Sequence, residues 1–157
     1  MAPLALTVFA VWCTVLTTLD IRSRRLPNRL TGFGSLAVLG YALITGQFTS
    51  ALLGAALLSV PYLLVHLVVP AALGAGDVKL AVALGGAAAL GGAEAWTWAA
   101  LGAPVLTACV AVGVLAGRRL LAADDSRQAD RSVTVPHGPA MCLATLLALW
   151  SSPLLTC

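Results

Sequence analysis

The sequence predicts an all-α integral membrane protein: a six-transmembrane-helix bundle with both termini on the outer side. Three observations lead there. Of the 157 residues, 60% are hydrophobic and 10% charged, with a mean hydropathy of +0.97. A soluble domain carries about a quarter charged residues. The uncharged runs are long enough, singly or in pairs, to cross a hydrocarbon core of about 30 Å. All nine Lys and Arg residues fall in alternate connections between those runs.

The spans follow in order, within one membrane domain over residues 1–157. The first covers 2–19 and carries no charge until Asp20. It lacks a basic segment before it, so it does not read as a cleaved signal peptide. A connection with Arg22, Arg24, Arg25 and Arg29 follows. The next uncharged run, Leu30 to Gly76, is too long for one helix. It divides at the polar, glycine-containing "TGQFTS" of residues 45–50 into spans 30–46 and 50–70. Pro61 falls inside the third span. His66 lies one helical turn from Tyr62 on the same face, with two readings: a hydrogen-bonded packing residue, or a neighbour of an active site. The fourth span, 77–94, is about 27 Å of helix. It is mostly Ala and Gly, which lets backbones approach closely in lipid, and is expected inside the bundle. Spans 96–117 and 138–156 complete the six.

With six spans, Arg22, Arg24, Arg25, Arg29, Lys79, Arg118, Arg119, Arg127 and Arg131 share one side. By the positive-inside rule that side is the cytoplasm. The plasma membrane is the expected location, and the lipid bilayer the expected surrounding. The connection at 118–132 mixes signs and reads as a solvated loop. No nucleic-acid partner is expected. Cys13, Cys109, Cys142 and Cys157 are isolated in sequence, with no C-x-x-C, so no metal or redox site is readable. The three within spans read as small, buried, inert thiols.

The chemistry concentrates in two carboxylates. Asp77 is the single acid between Asp20 and Glu94. It lies in "GAGDVKL", at the start of the fourth span. Asp20 ends the first. Both belong at the cytoplasmic boundary. Two neighbouring aspartates do not both ionise easily and share a proton. One then activates water as a base, and the other protonates or hydrogen-bonds a carbonyl oxygen. Such a pair hydrolyses a peptide bond and titrates jointly. Gly74 and Gly76 are expected to supply backbone torsions closed to other residues, and room for a substrate strand. Pro27 suits the first turn of the second helix. Asn28 is expected to cap that helix or to hold a catalytic carboxylate. Against this stand plainer roles: Asp20 paired with Arg22 or Arg24, and Asp77 as a helix N-cap.

Together the motifs are more specific than any one of them. "DIRSRRLPNRLT" resembles the D-x5-[IL]-P-N-x-[LI]-T segment of type IV prepilin leader peptidases, with Asp20, Leu26, Pro27, Asn28, Leu30 and Thr31 matching. "GAGDVKL" is similar to that family's G-x-G-D-x-K-L segment through Gly74, Gly76, Asp77, Lys79 and Leu80. "VPHGPAMCLATL" resembles the P-F-G-P segment opening the family's last helix, through Pro136, Gly138 and Pro139. His137 stands where the family has an aromatic, and is open to a role at the active site or as a cap.

The resemblance implies a G-x-G-D-type membrane aspartic peptidase with Asp20 and Asp77 as the catalytic pair. Its partner is a prepilin: a short basic leader, then a hydrophobic helix, cut at the cytoplasmic face. Lys79 is expected to hold the leader junction or a backbone carbonyl, or to snorkel to the interface. The larger bacterial members have a cytoplasmic insert with paired C-x-x-C zinc sites and also N-methylate the new pilin terminus. The sequence has neither that insert nor its paired C-x-x-C cysteines. It resembles the short peptidase form of Flp-type or related pilus systems, with no cofactor expected. Three rival readings remain: an intramembrane protease for another class of helix, a small proton- or cation-coupled transporter, and a non-catalytic pilus assembly subunit.

Overall fold

The structure, a computed structural model, describes residues 2–23, 27–70, 73–121 and 137–152. Among these residues the regular structure is entirely helical. The elements are α1 (Pro3–Ser23), α2 (Asn28–Ile44), α3 (Phe48–Val68), α4 (Ala75–Leu90), α5 (Ala93–Leu121) and α6 (His137–Trp150). Three stretches are long and apolar enough to cross a membrane: Pro3–Ser23, Phe48–Val68 and Ala93–Gly117 of α5. Helices α2, α4 and α6 are shorter, at 17, 16 and 14 residues, or roughly 21–26 Å. The outer faces of α1, α2 and α3 present large apolar side chains, among them Val8, Val11, Phe33, Leu36, Leu57 and Leu67. An apolar groove of about 510 Å³ separates α1 from α2 and is lined by Phe9, Trp12, Phe33 and Val38 among others.

Helix α4 is the centre of the bundle. It packs against α2, α3, α5 and α6. Leu80, Ala81, Leu84 and every residue from Gly85 to Ala88 are buried. Its composition allows this. A Cβ on Gly85 would stand 2.5 Å from the Gly54 carbonyl oxygen and 2.8 Å from the Leu58 Cβ of α3. A Cβ on Gly54 would collide with Ala89. The two backbones therefore meet where neither has a side chain. The Gly54 carbonyl at that contact accepts a hydrogen bond from the Trp96 indole of α5 at 3.0 Å. Helix α3 runs through Pro61 as one element.

The helix ends differ from the sequence-based spans in instructive ways. The second helix stops at Ile44 and not at residue 46, because Gly46 turns with φ +69°. The fourth stops at Leu90 and not at residue 94. Gly91 ends it, and Gly92, at φ +96°, reverses the chain. Glu94 is therefore not the end of α4. It sits in the first turn of α5, where the exposed N–H groups and the helix dipole favour a negative charge. The "GG" at 91–92 is a turn signal that the count of uncharged residues passed over. At its other end α5 continues to Leu121. Cys13 and Cys142 are buried as expected, but Cys109 is exposed, on the outer face of α5. Cys157 lies outside the described residues.

The α3–α4 contact leads to the first prediction. Gly85→Leu should destabilise the bundle by about 1–3 kcal/mol or more through overpacking. Gly113→Leu, where a Cβ meets nothing within 4 Å, should be neutral. Reversible denaturation of the purified protein in mixed micelles, compared across the three forms, measures both.

Candidate active site

Helix α1 ends and helix α4 begins at the same end of the bundle. Asp20 lies in the last turn of α1 and is buried, at 8% exposure. Asp77 lies in the first turn of α4 and is half-buried. The two carboxylates are close enough to interact electrostatically. The buried Cys142 of α6 feels both. Residues 57 apart in sequence (77 − 20) are thus brought to one place.

Each carboxylate meets a glycine backbone. The Gly74 N–H donates to Asp77 Oδ2 at 3.3 Å, and the Asp77 N–H donates to the Gly74 carbonyl at 3.0 Å. This is half of a capping box. Asp77 is therefore the third residue of its helix, reaching back, and not the N-cap; Gly74 holds that place. Asp20 packs directly against the backbone of Gly138 at the start of α6. The approach is tight. A Cβ on Gly138 would lie 2.7 Å from Asp20 Oδ2.

The two glycines before Asp77 work differently from the sequence expectation. Gly74 has φ −72° and ψ 147°, an extended conformation open to any residue. Gly76 is helical. Neither needs glycine's torsions. A Cβ on Gly74 would sit 3.5 Å from Asp77 Oδ2, at ordinary contact distance but directly over the carboxylate. Open access to Asp77 is what the missing side chain provides at Gly74.

Asn28 also differs. It is the first residue of α2, and the cap position belongs to Pro27, at φ −63° and ψ 122°, just outside the first turn. The Pro27 carbonyl accepts the Thr31 N–H at 3.2 Å. No side-chain cap forms. Asn28 Oδ1 instead accepts a hydrogen bond from Lys79 Nζ at 2.8 Å. Lys79 and Asn28 thereby tie the exposed starts of α4 and α2 together. Among the described residues, no carboxylate partners Asn28 and no backbone carbonyl partners the Lys79 side chain. Pro139 falls in the first turn of α6, where its missing N–H costs no hydrogen bond. Pro136 and Leu26 lie outside the described residues.

The two histidines separate. His66 Nδ1 bonds to the Leu73 carbonyl at 2.7 Å and tethers the chain leading into α4. Tyr62, on the same face of α3, turns instead to His137, with its hydroxyl 2.9 Å from Nε2. His137 Nδ1 lies 2.6 Å from the Thr107 hydroxyl of α5. Sequence reasoning did not bring in Thr107. A lone threonine inside an apolar helix carries no local signal, since its hydroxyl is satisfied within its own turn as readily as by a distant partner. The Cys13 and Cys142 thiols are both buried in the core shared by α1 and α6.

Apolar helices of spanning length, a bundle with a glycine-lined core and two acids at one end describe a membrane protein with a polar site at one edge. A family model for the type IV leader peptidase family matches residues 7–117, well over half of the 157-residue chain. The chain belongs to that family and is a peptidase. The match includes Asp20, Asp77 and the residues flanking both. No curated protein and no solved structure matches the chain.

The Gly138 contact makes the second prediction. Gly138→Ala should push Asp20 from its place. Activity should fall about 100-fold, the cost of a misplacement near 1 Å, with the protein still present in the membrane at near wild-type level. Asn28→Ala removes the partner of Lys79. It should cost about 1 kcal/mol in stability, as for one hydrogen bond, read from the same denaturation curve.

Proposed function

We propose that this peptidase removes the basic leader from type IV or Flp-like prepilins at the cytoplasmic membrane face, with Asp20 and Asp77 as its catalytic pair. The observation that carries the reading is the meeting of these two acids, from distant helices, at one end of a bundle from this peptidase family.

The chemistry follows from a pair sharing one proton. The ionised carboxylate takes a proton from water as the oxygen attacks the peptide carbonyl carbon. The protonated carboxyl gives its proton to the carbonyl oxygen. The tetrahedral diol then collapses, the C–N bond breaks, and the leaving amine takes a proton from the pair. The Gly74 N–H holds Asp77, and the Gly138 backbone packed against Asp20 holds the other carboxylate for this exchange. A basic leader ending in a small residue fits a site with little side-chain bulk around Asp77. Local unwinding of the substrate helix exposes its carbonyl. Gly76, Lys79, Pro27, Asn28, Pro136 and Pro139 shape the surroundings in this reading.

The topology belongs to the same proposal. All six helices cross the bilayer, the shorter three by local thinning and by packing within the bundle, in one domain over residues 1–157. Both termini then face outward, in the plasma membrane, and the acids face the cytoplasm. The arginine-bearing connections support that orientation.

The test is cleavage. Wild type, Asp20→Asn and Asp77→Asn are co-expressed with a leader-bearing prepilin, at matched membrane levels. Wild type should shorten the substrate. Each Asn variant, which keeps the shape and removes the titration, should lose at least about 1000-fold. Continued cutting by either variant removes that aspartate from the mechanism. Failure of the wild type on several prepilins points to a peptidase for another class of membrane helix. In the same membranes, activity against pH should be bell-shaped, since the pair must hold one proton and not none or two.

A further inference from the structure

A polar side chain among apolar helices needs a partner. Three such side chains, from three helices, find one another: Tyr62 of α3, Thr107 of α5 and His137 of α6. The direction of the hydrogen bonds can be worked out. The Thr107 hydroxyl lies 3.0 Å from the Ala103 carbonyl. A carbonyl only accepts, so the one hydroxyl hydrogen goes there. Thr107 then accepts from His137 Nδ1–H. A neutral imidazole protonated at Nδ1 has a bare Nε2, so Tyr62 donates to it. The chain runs from Tyr62 through His137 and Thr107 to Ala103. The Tyr62 and His137 rings are also in contact, with centroids 5.6 Å apart.

The arrangement reaches Asp20 through its central member. His137 opens α6, and the next residue, Gly138, packs directly against the Asp20 carboxylate, where a Cβ would lie 2.7 Å from Oδ2. A planar peptide unit joins His137 to Gly138. Fixing His137 therefore fixes the backbone against which Asp20 rests. An apolar aromatic at 137 would fill similar space. Only a ring with two nitrogens can be held from both sides.

We propose that His137 is a positioning residue: pinned between Tyr62 and Thr107, it fixes the Gly138 backbone that holds the Asp20 carboxylate in place. The proposal rests on the reading of Asp20 and Asp77 as the catalytic pair. The alternative is a packing contact with no effect on either carboxylate.

Full-length protein in liposomes, with a leader-bearing prepilin as substrate, gives kcat and KM. His137→Phe should lower kcat at least about 10-fold while KM stays within about twofold, as expected when geometry and not binding is lost. His137→Asn, whose amide N–H stands near the place of Nδ1, should recover part of kcat. Adding Tyr62→Phe to His137→Phe should cost nothing more, because the two act as one unit. If His137→Phe does not fold, Thr107→Val, which leaves the ring in place, carries the same comparison. Wild-type kcat in these variants, or losses that multiply as independent effects, overturns the proposal.

A second readout needs no cleavage. The infrared carboxyl band that disappears in Asp20→Asn should shift in His137→Phe. If no prepilin is cut and the band still shifts, the positioning role stands and the prepilin reading falls. If the band does not move, the positioning role falls whatever the substrate.

Discussion

The contact between Gly54 of α3 and Gly85 of α4 is the constraint on which the architecture depends. In lipid, apolar burial gives helices little reason to associate, and close packing must supply it. Removing both side chains lets two backbones meet, and the Trp96 indole satisfies the carbonyl at the point of contact. With α3 drawn in, α4 becomes the axis that α2, α5 and α6 also touch. A helix of larger residues would fit on the outside of such a bundle. The Ala and Gly of α4 put it in the middle, and its first turn carries Asp77 there with it.

The site is assembled from helix ends. Asp77 belongs to the first turn of α4, where free N–H groups and the dipole welcome negative charge. Asp20 belongs to the last turn of α1, where the dipole opposes it. There the start of α6 closes over it, with the Gly138 backbone against the carboxylate. The two carboxylates thus have unlike surroundings, although both are aspartates at one edge of one bundle. In the proposed mechanism, with one base and one acid, that inequality separates the two roles. The Tyr62–His137–Thr107 chain lies behind the pair and spans α3, α5 and α6, three of the four helices that carry neither acid. Rigid support for a catalytic constellation commonly comes from such outer hydrogen bonds.

Much of this was legible before folding. Charge-free runs separated the helices, and the Ala and Gly content of 77–94 correctly placed that helix inside. Where the reading failed, it failed at ends. Counting from Asp77 to the next charge carried α4 through Gly91 and Gly92, because charge is a poor marker of a turn and a positive-φ glycine is a good one. Asn28 was assigned to a cap or a carboxylate on its residue type. Lys79, 51 positions away, took its side chain instead. Tyr62 and His66 share a helical face, yet one meets α6 and the other a loop carbonyl. Spacing along a helix shows which side chains point together and is silent on what they meet.

The sequence by itself determined a helical membrane protein, the approximate number and order of its helices, and the residue types offered for chemistry. Those properties depend on composition and short spacing, which are local. Tertiary structure alone decided that the end of α1, the start of α4 and the start of α6 share one place. It also decided that a missing Cβ at 138 is required by a carboxylate from residue 20, and that a histidine at 137 binds a tyrosine 75 positions earlier. Such contacts depend on how closely backbones approach, and that distance is set jointly by side chains on several helices.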